Sequence, residues 1–353
     1  MKFLHKTIFY RRVFIFLEIK LYNLYQSKIR KDIQTQIYNK KSFKEHLFWK
    51  DYFWLVHEKN IGPIKIKWLQ IMWVELPQDK KYVQKELEKL KNKYSKEKWV
   101  VFIQLCFLNE IIRFENCWPR EENFVENIKA MRLNIREQIK KDYWLELAFR
   151  ENMPQANIVY DITKTDEELM KEMNSWCKER VKKAMKKWIE FWIASPDQYD
   201  LFYQRRKEVS WTKWFNIIPK SQYDKLIRYI TQNNCGNLFT SHINWDIIAW
   251  SICIYDENRI IYLYGFANRA YNNIWWHHYL KFKTFGYARK NWKTYVDMMW
   301  WAPTWFPEHS LVWVSKFKES LWGTKIEQYG SYDLVLRPTL YNLSKFYFNL
   351  RHK

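Results

Sequence analysis

Three hundred and fifty-three residues exceed one ordinary domain and suit two. Hydrophobic residues make up 48% of the chain and aromatics 20%, enough for a real core, which excludes a wholly disordered protein. Sixty Lys and Arg against 38 Asp and Glu give a net charge of +22, pointing to polyanionic partners such as nucleic acid, phosphate groups or an anionic membrane surface.

The first thirty residues are basic and aromatic. Arg11, Arg12, Glu18 and Lys20 interrupt the apolar run over 13–17, so neither a membrane span nor a signal-peptide core is expected. An amphipathic surface-binding helix and an irregular start are both compatible with that stretch. From about 42 to 110 the pattern is mixed α/β. An apolar run over 66–76 ends at Pro77, a charged helix follows from about 80 to 98, and 100–105 is β-like. A second helix is predicted over roughly 122–141, and 153–157 reads as a linker into a strand over 158–162. Thr165-Asp166-Glu167-Glu168 is a capping box. Leu169, Met170, Met173, Val181, Ala184 and Met185 then keep largely helical spacing up to Lys186-Lys187. Strands are predicted over 238–243, 246–255 and 260–264, and a helix from about 276 to 291. This alternation predicts two α/β units, one up to about 155 and one from 156 onward.

Turn chemistry is abnormal. An average usage of about 7% predicts roughly 25 glycines; there are 6, beside 22 tryptophans. After the helix ending at Lys187 a left-handed cap favours glycine, and the residue is Trp188. Asn244-Trp245 and Asn291-Trp292 stand where Asn-Gly is the strong signal. These sites predict that many tryptophans stand at UGA codons that the cell reads as glycine. The alternative is a genuinely tryptophan-rich protein.

No P-loop, dinucleotide fingerprint or zinc-hydrolase spacing is present. Five scattered cysteines without a Cys-x-x-Cys pair disfavour a disulfide scaffold or structural zinc and suit a reducing cytoplasm. His277 and His278 are adjacent, hence point apart on a helix and make a poor metal pair. Lys178, Arg180, Lys182, Lys183, Lys186 and Lys187 form a basic helix face that could track phosphates or be merely solvated.

The C-terminal third carries an ordered series. It comprises Tyr262-Leu263-Tyr264-Gly265-Phe266, then Tyr295-Val296-Asp297-Met298-Met299. Trp313-Val314-Ser315-Lys316-Phe317-Lys318 and Leu321-Trp322-Gly323 follow, and Gly330-Ser331-Tyr332-Asp333 closes it. In this order it resembles the FemABX family of non-ribosomal peptidyltransferases over roughly 150–340, with tryptophan at several of the family's glycine positions (Trp188, Trp300, Trp313, Trp322).

The resemblance implies an α/β (α+β) fold of two tandem GNAT-like domains with the C-terminal tail returning to the first. The division would be a basic extension over 1–40, a first domain over 41–155 plus 326–353, and a second over 156–325. It implies an aminoacyltransferase that moves an amino acid from aminoacyl-tRNA to the stem-peptide amine of a muramyl-peptide or lipid-linked peptidoglycan precursor. By the same matching Lys318 stabilises the oxyanion and the Phe317 carbonyl helps accept the proton. Tyr262 and Tyr264 sit at the cleft, and Lys220 and Tyr223 lie near the precursor diphosphate. No metal or cofactor is implied beyond aminoacyl-tRNA as co-substrate. A cytoplasmic monomer with peripheral contact at the membrane's inner face is expected. The family's Asp-Pro is not evident around 106–110, and its helical-hairpin arm is missing between 191 and 238. If the tryptophans are real, Trp300, Trp301, Trp313 and Trp322 are expected to crowd the cleft beside Phe317-Lys318, where the resemblance implies small residues. Three other readings stay open: an acyl-CoA acetyltransferase, although no pyrophosphate loop is found; a transferase acting on protein N-termini; and a non-enzymatic RNA-binding protein.

Overall fold

The computed structural model describes residues 28–114, 123–150, 155–213, 217–268, 271, 276–304, 309 and 311–350. The surface helix read at 13–17 lies outside the described residues, as do positions 153 and 154 of the expected linker.

A short helix α1 (Lys28–Asp32) runs into a π-helix over Ile33–Ile37. Three antiparallel strands follow, β1 (Lys41–Leu47), β2 (Lys50–Ile61) and β3 (Ile64–Val74). Helix α2 (Lys80–Tyr94) then crosses over and delivers β4 (Val100–Phe114) parallel to β3. After α3 (Phe124–Tyr143), β5 (Glu146–Leu147) and β6 (Ala156–Asp161) come α4 (Asp166–Glu172), α5 (Ser175–Lys186), β7 (Glu190–Ile193), α6 (Tyr199–Lys213) and α7 (Lys220–Gln232). The first pattern then recurs. Strands β8 (Gly236–Ile243), β9 (Asp246–Tyr255) and β10 (Arg259–Ala267) are antiparallel neighbours, and α8 (Trp276–Lys290) crosses to β11 (Tyr295–Asp297), parallel to β10. Helix α9 (Val312–Glu319), β12 (Thr324–Val335) and α10 (Pro338–Leu350) complete the described chain.

An antiparallel meander followed by a crossover helix and a parallel strand is the core of a GNAT-like unit, and it occurs twice. The strands form one sheet in the order β1-β2-β3-β4-β12-β6-β11-β10-β9-β8-β7, with β5 pairing off the path to β12. The closing strand β12 joins the halves: Thr324 to Glu327 pair with β6, while Lys325 to Val335 pair with β4.

Burial explains the local sequences. Strand β6 lies between two partners with both faces covered, so Ala156, Ile158, Val159 and Tyr160 read as a continuous apolar run with only Asn157 buried among them. Helix α8 packs Phe282, Phe285 and Ala288 on one face of the second meander, and α7 packs Leu226, Ile227 and Ile230 on the other.

Three local readings change. The helix expected from 165 to 187 is two helices. Met173 and Asn174 are extended at ψ +144° and +154°, and the Asn174 side chain accepts from the Cys177 N–H to restart the chain as α5. A strong N-cap residue inside a helical pattern defeats the periodicity. The helix from Lys80 stops at Tyr94, four residues early. The strand read over 100–105 continues to Phe114, because β12 offers it a long antiparallel partner.

The turns behave as their chemistry predicts. Trp188, Trp245 and Trp292 have φ of +55°, +70° and +60°. Their side chains are 88%, 83% and 90% exposed. Trp73, Trp144 and Trp322 are also left-handed, at +65°, +54° and +66°.

Candidate active site

The site is built where β10 and β11 part. Their parallel pairing covers only Arg259, Ile260 and Ile261 against Tyr295, Val296 and Asp297. Beyond it β10 continues against β9, with a bulge at Leu263, and the chain after Asp297 turns toward β6 instead. Met298 N–H donates to the Ile158 carbonyl at 3.0 Å and Trp301 N–H to the Ala156 carbonyl at 2.9 Å. Met299 takes a left-handed φ of +48°, held by its N–H donating to Asp297 Oδ1 at 2.7 Å. Asp297, quoted in the sequence only as part of a motif, therefore shapes this corner.

Lys318 reaches the same corner from α9. Its Nζ donates to the Met299 carbonyl at 2.7 Å and to the Trp300 carbonyl. Two features orient the lysine. Tyr160 Oη donates to the Lys318 carbonyl at 2.6 Å, and Gly323 lets the start of β12 approach β6 so closely that a Cβ there would lie 2.8 Å from the Val159 carbonyl. Burial holds the Lys318 amine down to about 7, while the Asp297 carboxylate works to keep it charged. Asp297 is fully buried; that burial pushes its carboxyl up, against Arg259, the Met299 N–H and Lys318. A desolvated cation held by two carbonyls is chemically able to exchange one of them for a forming oxyanion.

Phe317 lies one residue away, half-buried, with the rings of His277 and His278 each 4.9 Å from its own. Its carbonyl already accepts from Ser320 Oγ at 2.6 Å. Both imidazoles are held neutral by burial, His277 down to about 4 and His278 to about 2. Among the described residues no three His, Cys, Asp or Glu side chains converge on a metal position.

The structure separates the two tyrosines expected at one cleft. Residues two apart on a strand share a face, but the bulge at Leu263 inserts one extra residue and sends them to opposite sides. Tyr262 is buried in the core with Tyr160 and Phe282. Tyr264 is half-buried on the other side, its hydroxyl 2.9 Å from that of Tyr38. Lys220 and Tyr223 are separated as well. Lys220 is exposed and its charge is taken up by Asp200 at 2.6 Å and Asp224 at 2.8 Å. Tyr223 is fully buried, stacked on Phe202 at 5.1 Å.

A residue that the sequence reading passed over lies beside Tyr223. Arg206, on α6, lies 4.4 Å from the Tyr264 ring centre, with Nε and Nη1 unpartnered among the described residues. Tyr38, Tyr203 and Tyr223 surround it. Its sequence signal is weak, a single Arg in the basic run Arg205-Arg206-Lys207.

The expected crowding by tryptophan is corrected in part. Trp301 is buried and its Nε1 donates to Glu319 Oε1 at 2.8 Å, so it is a packed, satisfied indole. Trp313 faces solvent at 79% exposure.

No family model and no curated protein matches this sequence. Solved structures do. A crystal structure of FemX superposes with a TM-score of 0.66 at 14% identity, covering 92% of this chain and 94% of that one. This chain has the FemX fold. A conserved protein of unknown function from Bacteroides thetaiotaomicron reaches 0.51 at 11% identity, over 87% of this chain and 92% of that one. A C-terminal domain of a putative lysylphosphatidylglycerol synthetase from Agrobacterium fabrum reaches 0.49 at 9% identity, over 90% and 93%. The FemX likeness is one of fold and covers both halves of the sheet.

Proposed function

We propose that this protein is an acyltransferase that moves an amino acid from aminoacyl-tRNA onto the stem-peptide amine of a peptidoglycan precursor. The observation that carries the reading is the Lys318 corner: a buried amine on two carbonyls, backed by Asp297, at the divergence of β10 and β11 in a FemX fold.

An aminoacyl ester is already activated, so the protein has only to align it with an amine, remove a proton and stabilise the tetrahedral oxyanion. Lys318 is the cation for that oxyanion. The Phe317 carbonyl accepts from Ser320 Oγ at 2.6 Å and from the Ser320 N–H at 3.3 Å, and the longer of these is the one to yield when the attacking amine presents an N–H. Arg206, with two guanidinium nitrogens unpartnered among the described residues beside Tyr264, supports an acceptor that carries phosphate, whether a soluble muramyl peptide or its lipid-linked form. Among the described residues no helix is long and apolar enough to cross a membrane. A lipid-linked acceptor would then be met peripherally, at the inner face.

The test is reconstituted transfer. Purified protein, a total aminoacyl-tRNA pool labelled in the amino acid, and either precursor should give a labelled amide on the stem peptide. Label passing instead to an aminoacyl lipid, to protein N-termini, or nowhere would refute the reading.

A further inference from the structure

Besides Lys318 and Lys325, the latter on Glu319 at 3.3 Å, Lys281 is a further buried amine. It sits on α8 at helical spacing with the buried His278, Phe285 and Ala288, and is only 8% exposed. Its Nζ donates to Ser251 Oγ on β9 at 2.8 Å and lies 3.4 Å from the centre of the Tyr262 ring on β10. No described carboxylate pairs with it. The groups that face it are Ser251 and Cys253 from β9, Tyr262 from β10, Lys318 from α9, and His277 from its own helix. Burial pushes the Cys253 thiol up to about 12, which limits the counter-charge it can offer Lys281 near neutrality.

Lys281 nevertheless lies directly beneath an exposed residue. Gly265 on β10 is exposed, and a Cβ built on it would lie 3.9 Å from Lys281 Nζ and 4.0 Å from Ser251 Oγ. The missing side chain leaves the amine one van der Waals layer beneath the diverging strands.

We infer that Lys281 is the base of the transfer reaction, taking the proton from the acceptor's ammonium while Lys318 holds the oxyanion. This rests on the aminoacyl-transfer reading. Burial brings both amines down to about 7, and what distinguishes them is the neighbourhood: Lys318 has the Asp297 carboxylate beside it and Lys281 has none. Burial, with Lys318 adding to it and Cys253 opposing, brings Lys281 down to about 7. In the step, acceptor R–NH3⁺ gives one proton to the neutral Lys281 amine, and the freed amine attacks the ester carbonyl carbon, forming the C–N bond and the oxyanion. As the oxyanion collapses the C–O bond to the tRNA ribose breaks. The ribose oxygen leaves as a hydroxyl with a second proton from the attacking nitrogen, and Lys281 returns the first to solvent.

The experiment is the pH–rate profile of aminoacyl transfer for the intact chain, Lys281→Met and Lys281→Arg, with tRNA binding measured alongside. Methionine keeps the apolar stem volume; arginine keeps the charge but does not deprotonate at working pH. The intact chain should show a rising limb that belongs to the lysine pair. Both variants should lose that limb and fall in rate by about 10² or more near neutrality, with tRNA affinity unchanged. Their residual rate should rise only toward the acceptor amine's own pKa, about 10 for a lysine-type amine. A variant with the intact profile, or one slowed equally at every pH with the limb in place, overturns the role of Lys281 alone. No amide from the intact chain overturns the aminoacyl-transfer reading and this step together.

Discussion

The role proposed for Lys318 depends on its being nearly out of water, and its removal should be correspondingly specific. Lys318→Met keeps the stem that fills the space between α9 and the 299–300 carbonyls and deletes only the charge. Loss of one oxyanion partner typically costs about 2.7–4 kcal/mol, or 10²–10³ in rate, so transfer should drop by that factor while tRNA binding stays. Near-normal turnover would remove Lys318 from the mechanism. The exposed tryptophans are a separate residue-scale matter. At left-handed φ an L side chain is strained by about 1–2 kcal/mol, and at 88%, 83% and 90% exposure Trp188, Trp245 and Trp292 return almost nothing in burial. Replacing all three with glycine should raise the denaturant midpoint of the chain, against a cost of about 0.5–1 kcal/mol per residue for glycine's extra freedom when unfolded. A lower midpoint would mean that the turns are built for indoles. Mass spectrometry of the protein from its native cell should read glycine at 188, 245 and 292; tryptophan there ends the recoding reading. Trp54 and Trp250, at 0% and 1% exposure, are different, since glycine in their place would open core cavities.

Elements defined by punctuation or strong periodicity were readable from the sequence; those defined by distant partners were not. The capping box at Thr165 is present with both bonds made, the N-cap hydroxyl accepting from Glu168 N–H and the Glu168 carboxylate accepting from Thr165 N–H. β9, confined between hairpin turns, appears with its expected ends. The second half of β4 and the full length of β12 were not visible, because each is stabilised by the other across more than two hundred residues of chain. The site divides along the same line. Lys318 was found through its motif, whereas Asp297's part in shaping the corner depends on a turn after β11, and the separation of Tyr262 from Tyr264 depends on one bulge. Lys281 did leave a trace, a lysine at buried spacing inside an apolar stripe. The α4–α5 break supplies an element-scale prediction. Asn174→Ala removes the side-chain acceptor for Cys177 N–H and should cost about 1 kcal/mol of unfolding free energy by denaturant titration. An unchanged stability would mean that α5 starts without its cap.

At the scale of the molecule, +22 has to be placed before it explains anything. Much of the described cationic surface is already paired, as with Lys44, Lys80, Lys93 and Lys220, each on a carboxylate. The outer face of α5 is less compensated. Lys182, Lys186 and Lys187 are exposed there, while Lys183 reaches Glu179 at 3.1 Å and the Arg180 guanidinium lies 4.1 Å from the Trp176 ring centre. Helix α5 packs against α8, which carries Lys281. A polyanion lying along α5 would therefore run beside the helix that lines the candidate site, the arrangement required if a tRNA backbone is to deliver its charged end to Lys318. Each neutralised phosphate contributes about 0.7 to 0.9 to the slope of log affinity against log salt. If all three exposed lysines contact phosphate, the Lys182→Ala, Lys186→Ala, Lys187→Ala triple variant should lower that slope by about 2 for tRNA. Affinity should fall most at low salt, and turnover at saturating tRNA should change little, because none of the three touches the reacting atoms. An unaltered slope would place the tRNA on another face, and a flat salt dependence in the intact chain would remove tRNA as the donor altogether.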